Sequence, residues 1–328
     1  MRGRPRHGGR YVGIDLSNFA ESIGGVDHGP LWIAGQQTRT PAPSQLRLVA
    51  APAGIVDLQP DDMTVVCGAG TPINELRTEL AKVGQYVNLP DGLTGPGTVG
   101  GALAEGRSNI YRLGRGPIRD TLLQVRYVNH DGQVVTAGGP TVKNVSGFDL
   151  CRLLIGSRGQ LGYFGETILR TRPLPQSSRW FVMSEANQTV VEKILRVIYR
   201  PASVLWDGHK VWFCIEGNPK DCAAMIQRIS VELPVITEIS EPPDLSLYPH
   251  RQSVPPRLLG DVVQESARSD SHKIIVEAGV GIVHHQVPPE STPIEKGITI
   301  LHRRILEQFN PTGRLNPGIE ILASAPSL

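Results

Sequence analysis

Hydrophobic side chains recur three or four positions apart between residues 73 and 83, and this spacing predicts an amphipathic helix. Thr71 is the expected N-cap, Pro72 the first helical residue and Gly84 the stop. A second, short helix is predicted over residues 150–155, with Asp149 in the N-cap position.

Short runs that alternate apolar and polar residues, or are apolar throughout, predict strands in the first half of the chain. The Asp131-Gly132 pair between two of these runs predicts a hairpin. The predicted strands are residues 12–15, 31–34, 63–67, 122–129, 133–137 and 165–172.

Pro173 and Pro175 end this series and mark the predicted domain boundary. The pattern after them predicts helices, a hairpin and a strand in mixed order, which indicates an α+β second domain. The predicted elements are a helix capped by Asn187, a hairpin of residues 203–206 and 210–215, a helix that begins at Asn218-Pro219, an irregular stretch over 241–256, a strand over 273–283 and a final helix over 294–309.

Composition indicates an ordinary globular protein. The 328 residues leave room for two domains of about 150 residues each. A net charge of +2 gives no electrostatic case for nucleic-acid binding. No apolar run is as long as a membrane span, which needs about 18 residues. The first ten residues are basic and glycine-rich without the apolar core of a secretory signal, so we expect a disordered tail.

The four cysteines, at positions 67, 151, 214 and 222, lie in apolar patterns and form no Cys-x-x-Cys pair. This usage predicts buried thiols in a reducing cytoplasm. It also argues against an iron–sulfur cluster held by this chain, since such clusters need grouped thiolates. No set of residues at metal-ligand spacing predicts a metal site.

Residues 95–100 fit the pattern G-x-G-x-x-G, and Asp120 follows about twenty residues later, as in the dinucleotide-binding fingerprint. The context does not suit a Rossmann fold, because a turn precedes the glycines and Pro96 lies among them. We favour a loop that brings backbone amides close to a flat or phosphorylated ligand. An ordinary glycine-rich turn is the alternative.

Several motifs occur in a fixed order along the chain. Residues 97–101 match T-[IV]-G-G, residues 143–150 match K-N-[VT]-x-G-[YF]-D-L, and residues 156–162 match G-S-x-G-x-L-G. Residues 309–318 match F-D-P-x-G-x-[LF]-N-P-G, with Asn310 in place of the usual Asp. Together they resemble the PCMH-type FAD-binding oxidoreductases of the vanillyl-alcohol oxidase superfamily, and within them the small FAD-binding subunits of bacterial glycolate oxidases.

The resemblance implies an FAD site built from loops. Because no histidine occupies the predicted pyrophosphate loop over residues 34–39, it implies non-covalent FAD. The implied cofactor-binding residues are Gly35, Gln36, Gln37, Thr38, Gly97, Thr98, Val99, Gly100, Gly101, Ser108, Asp120, Asn144, Gly147, Asp149, Gly159, Gly162 and Asn316.

Two adjacent histidines, His284 and His285, lie where the second domain of this family faces the flavin. Neighbouring strand residues point to opposite faces, so at most one of them reaches the ring. They are the candidates for a catalytic base, and an ordinary structural histidine is the alternative.

The resemblance also implies an architecture. An FAD domain of two small α/β subdomains is expected over residues 29–175, completed by residues 298–328. A smaller α+β cap domain is expected over 176–297, and a tail with a first strand over 1–28.

The implied activity is that of an FAD-dependent oxidoreductase. The chain would be a subunit of a cytoplasmic, glycolate oxidase-like 2-hydroxy-acid dehydrogenase, with a large flavin subunit and an iron–sulfur subunit as possible partners. Two alternatives remain open. One is a stand-alone FAD oxidoreductase with another substrate. The other is an FAD-free scaffold subunit, favoured by Gln36 and Gln37 where the family usually has glycines.

Overall fold

The computed structural model describes residues 13–92, 94–139, 149–233, 236–268, 273–290 and 294–320. These residues form two compact units. Unit 1 takes residues 13–109, 118–174 and 294–320, and unit 2 takes residues 110–117 and 175–290.

Helices and strands alternate irregularly along both units. The helices of the described residues are α1 (Ser17–Ile23), α2 (Ile73–Ala81), α3 (Val99–Glu105), α4 (Arg112–Arg115), α5 (Leu150–Leu154), α6 (Gln188–Val197), α7 (Pro219–Glu232), α8 (Leu259–Ala267) and α9 (Lys296–Phe309). The strands are β1 (Leu31–Ile33), β2 (Arg47–Val49), β3 (Ile55–Gln59), β4 (Thr64–Gly68), β5 (Gln85–Tyr86), β6 (Leu122–Val128), β7 (Val134–Gly138), β8 (Tyr163–Arg170), β9 (Arg172–Pro173), β10 (Ser177–Met183), β11 (Ser203–Trp206), β12 (Val211–Gly217), β13 (Thr237–Ile239), β14 (His250–Ser253), β15 (Ile274–Glu277) and β16 (Ile282–His285).

Unit 1 is built on an antiparallel five-stranded sheet in the order β3-β4-β8-β6-β7. The central strand β8 is buried over seven of its eight residues, including the polar residues Glu166 and Thr167. Strands β1 and β2 form a separate parallel pair, and Leu315 bridges to Leu31 beside them. The segment after α9 thus returns to the start of unit 1.

Arg314 ties distant parts of unit 1 together from a buried position, with 3% of the residue exposed. Its guanidinium donates hydrogen bonds to the carbonyl oxygens of Ile23 at 2.7 Å, Gly24 at 3.0 Å, Gly29 at 3.1 Å and His130 at 2.8 Å. A buried charge is tolerated only when its polar atoms have partners. These carbonyls provide them.

Unit 2 is an antiparallel seven-stranded sheet in the order β13-β10-β12-β11-β15-β16-β14. One apolar cluster joins α6, α7 and α8 to this sheet, with Ile194, Phe213 and Ile229 fully buried. A second cluster contains Trp180 and Leu205, with Tyr111 packed against it. The predicted mixture of helices and sheet is confirmed.

Three of the predicted N-caps, Asp149, Asn187 and Asn218, are confirmed. Asn187 accepts a hydrogen bond from the amide of Val190 at the start of α6, and Asn218 accepts one from Lys220 at the start of α7. Asp149 caps α5 in the same way.

The predicted strand over residues 12–15 is wrong within the described part of the chain. Residues 13–16 have no regular structure, and α1 follows directly. Leu16, Phe19 and Ile23 are buried together, and their spacing of three and four is the helical signal that the strand prediction overlooked.

Thr71 does not cap α2. Its hydroxyl donates to the carbonyl of Gly68 at 2.6 Å and accepts from the amide of Gly54, so it stabilises the turn before the helix. Pro72 takes the N-cap position without a side-chain hydrogen bond, and the helix begins at Ile73.

Three further predictions differ from the structure. The stretch over 241–256 is not irregular throughout, because it contains β14. The single strand over 273–283 is a hairpin of β15 and β16, turned through Gly279 and Gly281 at φ +77° and +88°. Residues 110–117 belong to unit 2 instead of the continuous first domain.

Candidate functional site

A cavity of about 270 Å³ opens within unit 1 between β1, α3 and the start of β8. Eleven of its sixteen lining residues are glycine or alanine. The cavity thus exists because the surrounding segments lack large side chains. Its lining residues are Ile33, Ala34, Gly35, Gln36, Ala50, Ala51, Ala69, Gly70, Thr98, Gly100, Gly101, Ala104, Gly159, Gly162, Tyr163 and Phe164.

The loop after β1 offers hydrogen-bond donors to this cavity. Among the described residues, the amides of Gly35, Gln36, Gln37 and Thr38 donate no hydrogen bond, whereas the preceding amide of Ala34 donates to Val49 at 2.8 Å. Four successive free amides suit an oxyanion such as a diphosphate, which accepts several such bonds. Of these four residues, Gly35 and Gln36 line the cavity, whereas Gln37 and Thr38 do not.

The two glutamines in this loop differ in orientation. Gln36 lines the cavity. Gln37 does not, because its side-chain oxygen accepts a hydrogen bond from the amide of Ala42 at 3.1 Å. Its φ of +52° lies in the left-handed region that glycine usually occupies. A glutamine at position 37 thus strains the backbone more than a glycine would, but it does not fill the cavity.

The glycine-rich run 97–101 packs closely against its neighbours. A Cβ at Gly100 would lie 2.9 Å from Cβ of Ala69 and 3.0 Å from its carbonyl oxygen. Thr98 caps α3 by accepting a hydrogen bond from the amide of Gly101. Val99 has no exposed surface and packs into the apolar core, so only its backbone faces the loop.

Arg39 holds this loop in place. Its guanidinium donates to the carbonyls of Pro90 at 2.6 Å and Pro96 at 3.0 Å, and its Nε lies 2.9 Å from Glu105. Burial lowers the pKa of Arg39, and Glu105 offsets part of that effect. Arg39 ends the predicted pyrophosphate loop, but its charge is already engaged by Glu105 and two carbonyls.

Asn316 organises the walls of the cavity from behind. Its Oδ1 accepts from the amide of Ile33 at 2.9 Å and from the hydroxyl of Tyr163 at 2.8 Å, while Nδ2 donates to the carbonyl of Arg158 at 2.8 Å. Asn316 is 4% exposed and has a φ of +43°. A Cβ at Gly159 would lie 2.7 Å from Nδ2. The polar atoms of Asn316 are occupied by protein, so its role here is to position other groups.

Several implied site residues do not line the cavity. Ser108 accepts a hydrogen bond from the amide of Ile118 at 3.1 Å. Asp120 and Asp149 both face Arg152, at 3.7 Å and 3.0 Å. Asn144 and Gly147 lie outside the described residues.

Sequence reasoning missed the alanines of the lining. Ala50 and Ala51 follow β2, Ala69 follows β4, and Ala104 lies in α3. The signal was present as runs of small residues, Ala50-Ala51-Pro52-Ala53-Gly54 and Ala69-Gly70. Such runs leave a sheet edge open to a ligand just as glycines do.

The two candidate histidines lie in unit 2 on neighbouring positions of β16. His284 Nε2 lies 2.8 Å from Glu277 Oε1, and Glu277 is 2% exposed. His285 is buried, and its Nε2 lies 3.1 Å from Gln252. Among the described residues, His284 Nδ1 has no hydrogen-bond partner, so His284 has the nitrogen that a base needs.

The described segments contain no helix with both the length and the hydrophobicity that a membrane crossing needs. They bring no three His, Cys, Asp or Glu side chains together in a way that could hold a metal ion.

Comparison with known proteins identifies the domain that contains much of this cavity. Residues 44–138 match the family of FAD binding domains. Alkyldihydroxyacetonephosphate synthase has a similar structure, with a TM-score of 0.66 over 93% of this chain and 75% of that one, at 13% identity. A grass pollen allergen with glucose dehydrogenase activity, Phl p 4, gives 0.51 over 69% of this chain and 50% of that one, at 17% identity. These structures share the fold.

Similar sequences occur among oxidoreductases. The glycolate oxidase subunit GlcE of Escherichia coli is 30% identical over 202 residues, which are 58% of this chain and 57% of that protein. The D-lactate dehydrogenase of Archaeoglobus fulgidus is 31% identical over 36% of this chain and 26% of that protein. The glycolate oxidase subunit GlcD of Bacillus subtilis is 30% identical over 38% and 27%. The matched region thus spans about half of GlcE and about a quarter of the other two.

Proposed function

We propose that this chain is a flavin-binding subunit of a glycolate oxidase-like 2-hydroxy-acid dehydrogenase, since its residues 44–138 match the family of FAD binding domains. The observation that carries the proposal is the cavity of unit 1, where the free amides of Gly35 and Gln36 meet walls of glycine and alanine. The amides suit the diphosphate of FAD, and the small side chains leave room for a flat ring. The residues present therefore fit FAD.

Non-covalent attachment is part of the proposal. It is supported by the lining of the cavity, whose residues include neither histidine nor cysteine. The hydroxyl of Tyr163 is within hydrogen-bond distance of Leu31 and Asn316, which further supports a structural role for this tyrosine.

FAD, when bound, supplies an acceptor for a hydride. The residues of this chain would hold the cofactor and orient it. Asn316 fixes the end of β1 through the amide of Ile33, and Arg39 fixes the loop that contains Pro96. His284, which Glu277 orients, is the candidate base that unit 2 offers.

The proposal extends to partners and location. GlcE and GlcD are both named as glycolate oxidase subunits, which supports a multi-subunit complex. We propose a larger flavin subunit and an iron–sulfur subunit as the other members. The four cysteines are buried free thiols, which fits the cytoplasm.

An FAD-free scaffold subunit is the second candidate. Gln36 favours it, because this side chain lines the cavity where the family usually has a glycine. The first candidate is better supported, since the amide donors beside Gln36 remain free.

The visible absorbance spectrum of the purified, desalted chain, recorded before and after addition of FAD, tests the proposal. Flavin bands that survive desalting are expected, and denaturation with acid should release the flavin into the supernatant. A colourless chain that ignores FAD, alone and when co-expressed with a larger flavin subunit, would favour the scaffold. Flavin that stays with the precipitate would contradict non-covalent binding.

A further inference from the structure

Three arginines surround a single carboxylate beside the cavity. Glu105 Oε2 lies 2.9 Å from Arg39 Nε, and Glu105 Oε1 lies 3.2 Å from Arg107 Nε. Arg158 is close enough to Arg107 and Glu105 for both charges to act on it. One negative charge therefore faces three positive ones, and the group carries a surplus of positive charge.

The cluster adjoins the wall of the cavity. Ala104 and Gly159 line the cavity and are the chain neighbours of Glu105 and Arg158. The amide of Arg158 donates to the carbonyl of Ala104 at 2.8 Å, which joins the two segments. Arg158 has a φ of +49°, a costly conformation for a residue with a side chain. The fold thus holds Arg158 at this wall despite the strain.

The three arginines differ in what their nitrogens do. The side chain of Arg39 is 9% exposed, and its other nitrogens donate hydrogen bonds to backbone carbonyls. Arg107 is 22% exposed and has Glu105 as its partner. Within the described segments, the guanidinium of Arg158 has no hydrogen bond or ion pair. Donors of Arg107 and Arg158 therefore remain available.

The electrostatics of Arg158 favour a neighbouring anion. Burial lowers the pKa of its guanidinium, the charge of Arg107 lowers it further, and Glu105 offsets only part of the effect. An anion placed between Arg107 and Arg158 would relieve both the repulsion and the lost solvation. Guanidinium groups also match the planar oxygens of carboxylates and phosphates, which they bind through paired hydrogen bonds.

We propose that Arg107 and Arg158 form an oxyanion subsite at the wall of the cavity, distinct from the amides of residues 35–38. The ligand chemistry is a carboxylate or a phosphate. In the context of the proposed function, on which this assignment of sources rests, the oxyanion comes from the hydroxy-acid substrate or from the phosphates of FAD.

The test is a calorimetric titration of the full chain with sodium oxalate and with inorganic pyrophosphate at constant ionic strength. The variants are Arg107→Gln, Arg158→Gln and the double variant, and the control is Arg119→Gln at an exposed arginine of unit 1. We expect the wild type to bind at least one anion, each single variant to bind it about tenfold more weakly, and Arg119→Gln to bind like the wild type. Thermal unfolding verifies that each variant is folded.

Repeating the titrations after FAD is added separates the two sources. Oxalate binding that persists with FAD and is lost in the variants identifies a substrate carboxylate. Pyrophosphate binding that FAD abolishes, together with weaker FAD retention in the variants, identifies the cofactor phosphates.

Failure of this proposal is distinguishable from failure of the FAD proposal. If the wild type binds neither anion, or if the double variant binds both as the wild type does, the subsite is wrong even when flavin is retained. If an anion binds through Arg107 and Arg158 but no flavin is retained, the subsite stands and the FAD assignment falls.

Discussion

The side-chain oxygen of Asn316 accepts a hydrogen bond from the amide of Ile33 at 2.9 Å, although 283 positions separate the two residues. The same side chain reaches Tyr163 and Arg158, which belong to opposite ends of a glycine-rich turn. One buried amide thus sets the positions of β1 and of the turn before β8, and both line the cavity.

Replacement of Asn316 should destabilise unit 1 and weaken flavin retention. Asn316→Ala leaves the amide of Ile33 and the carbonyl of Arg158 without partners, which should cost about 1–3 kcal/mol each if water does not replace them. Asn316→Gly removes the same bonds but relieves the φ of +43°, so it should be more stable than the alanine variant by about 1 kcal/mol. Urea unfolding and flavin absorbance measure both. An alanine variant with wild-type stability and full flavin would contradict this role.

Gly100→Ala should weaken flavin retention at least tenfold. The added Cβ meets backbone and Cβ of Ala69 at 3.0 Å or less, so α3 must shift relative to the cavity, at a cost of about 1–3 kcal/mol. Gly297→Ala is the matched control, because a Cβ at Gly297 meets nothing within 4 Å. Fluorescence titration with FAD measures the affinity. Equal affinity in Gly100→Ala and Gly297→Ala would remove the run 97–101 from the site.

The two loop glutamines should respond differently to substitution. Gln36 is one of the lining residues, so Gln36→Gly should enlarge the cavity and raise flavin affinity. Gln37→Gly removes a side chain that bonds to Ala42 outside the lining, so affinity should stay unchanged. The same FAD titration compares them, and a larger gain in Gln37→Gly would overturn the orientations described for this loop.

If His284 is the catalytic base, His284→Gln should slow the reduction of bound flavin by a 2-hydroxy acid. Flavin retention should stay unchanged, because all residues that line the cavity belong to unit 1. Glu277→Gln should slow the reduction less, since it removes only the group that orients His284. Loss of a positioned base is expected to cost about 10²–10⁴-fold in rate. Stopped-flow absorbance with glycolate or D-lactate follows the reduction, with His209→Gln at an exposed histidine as the control. Unchanged reduction in His284→Gln would exclude His284 as the base.

Alkylation should distinguish folded from unfolded chains. Burial raises the pKa of the Cys67 and Cys151 thiols to about 11 and that of Cys214 to about 12. The thiolate is the reactive form, so iodoacetamide should leave these thiols unmodified near neutral pH and modify them in urea. Since the unfolded thiols ionise at about 8.5, their contribution to stability is complete below that pH and declines as the pH rises through it. Rapid labelling of the native chain, followed by mass spectrometry, would contradict their burial.

The parts of the fold that depend on neighbouring residues were predictable from sequence. The N-caps Asn187 and Asn218 were predicted correctly, because each side chain bonds to an amide within three residues. Residues 110–117 were misassigned because nothing local shows that Arg115 pairs with Glu216. This pairing helps hold the segment in unit 2.

The candidate site was predictable to a similar extent. The glycines within residues 97–101 and 159–162 indicated a close backbone approach, because they lack Cβ atoms. The roles of Asn316 and Arg39 were not readable, since an amide or a guanidinium can bind a ligand as well as a distant backbone atom. Only their partners in the fold decide between these uses.

Arg314 bears on the order in which the protein forms. The carbonyl of Ile23 that it binds lies 291 positions earlier in the chain, and synthesis proceeds from the N-terminal end. A ribosome must therefore reach residue 314 before α1 and β1 acquire their final neighbours. Until then the cavity lacks the support of Asn316 as well. Under the proposed function, we expect flavin to bind only after this segment is made, so nascent chains stalled before residue 314 should carry none.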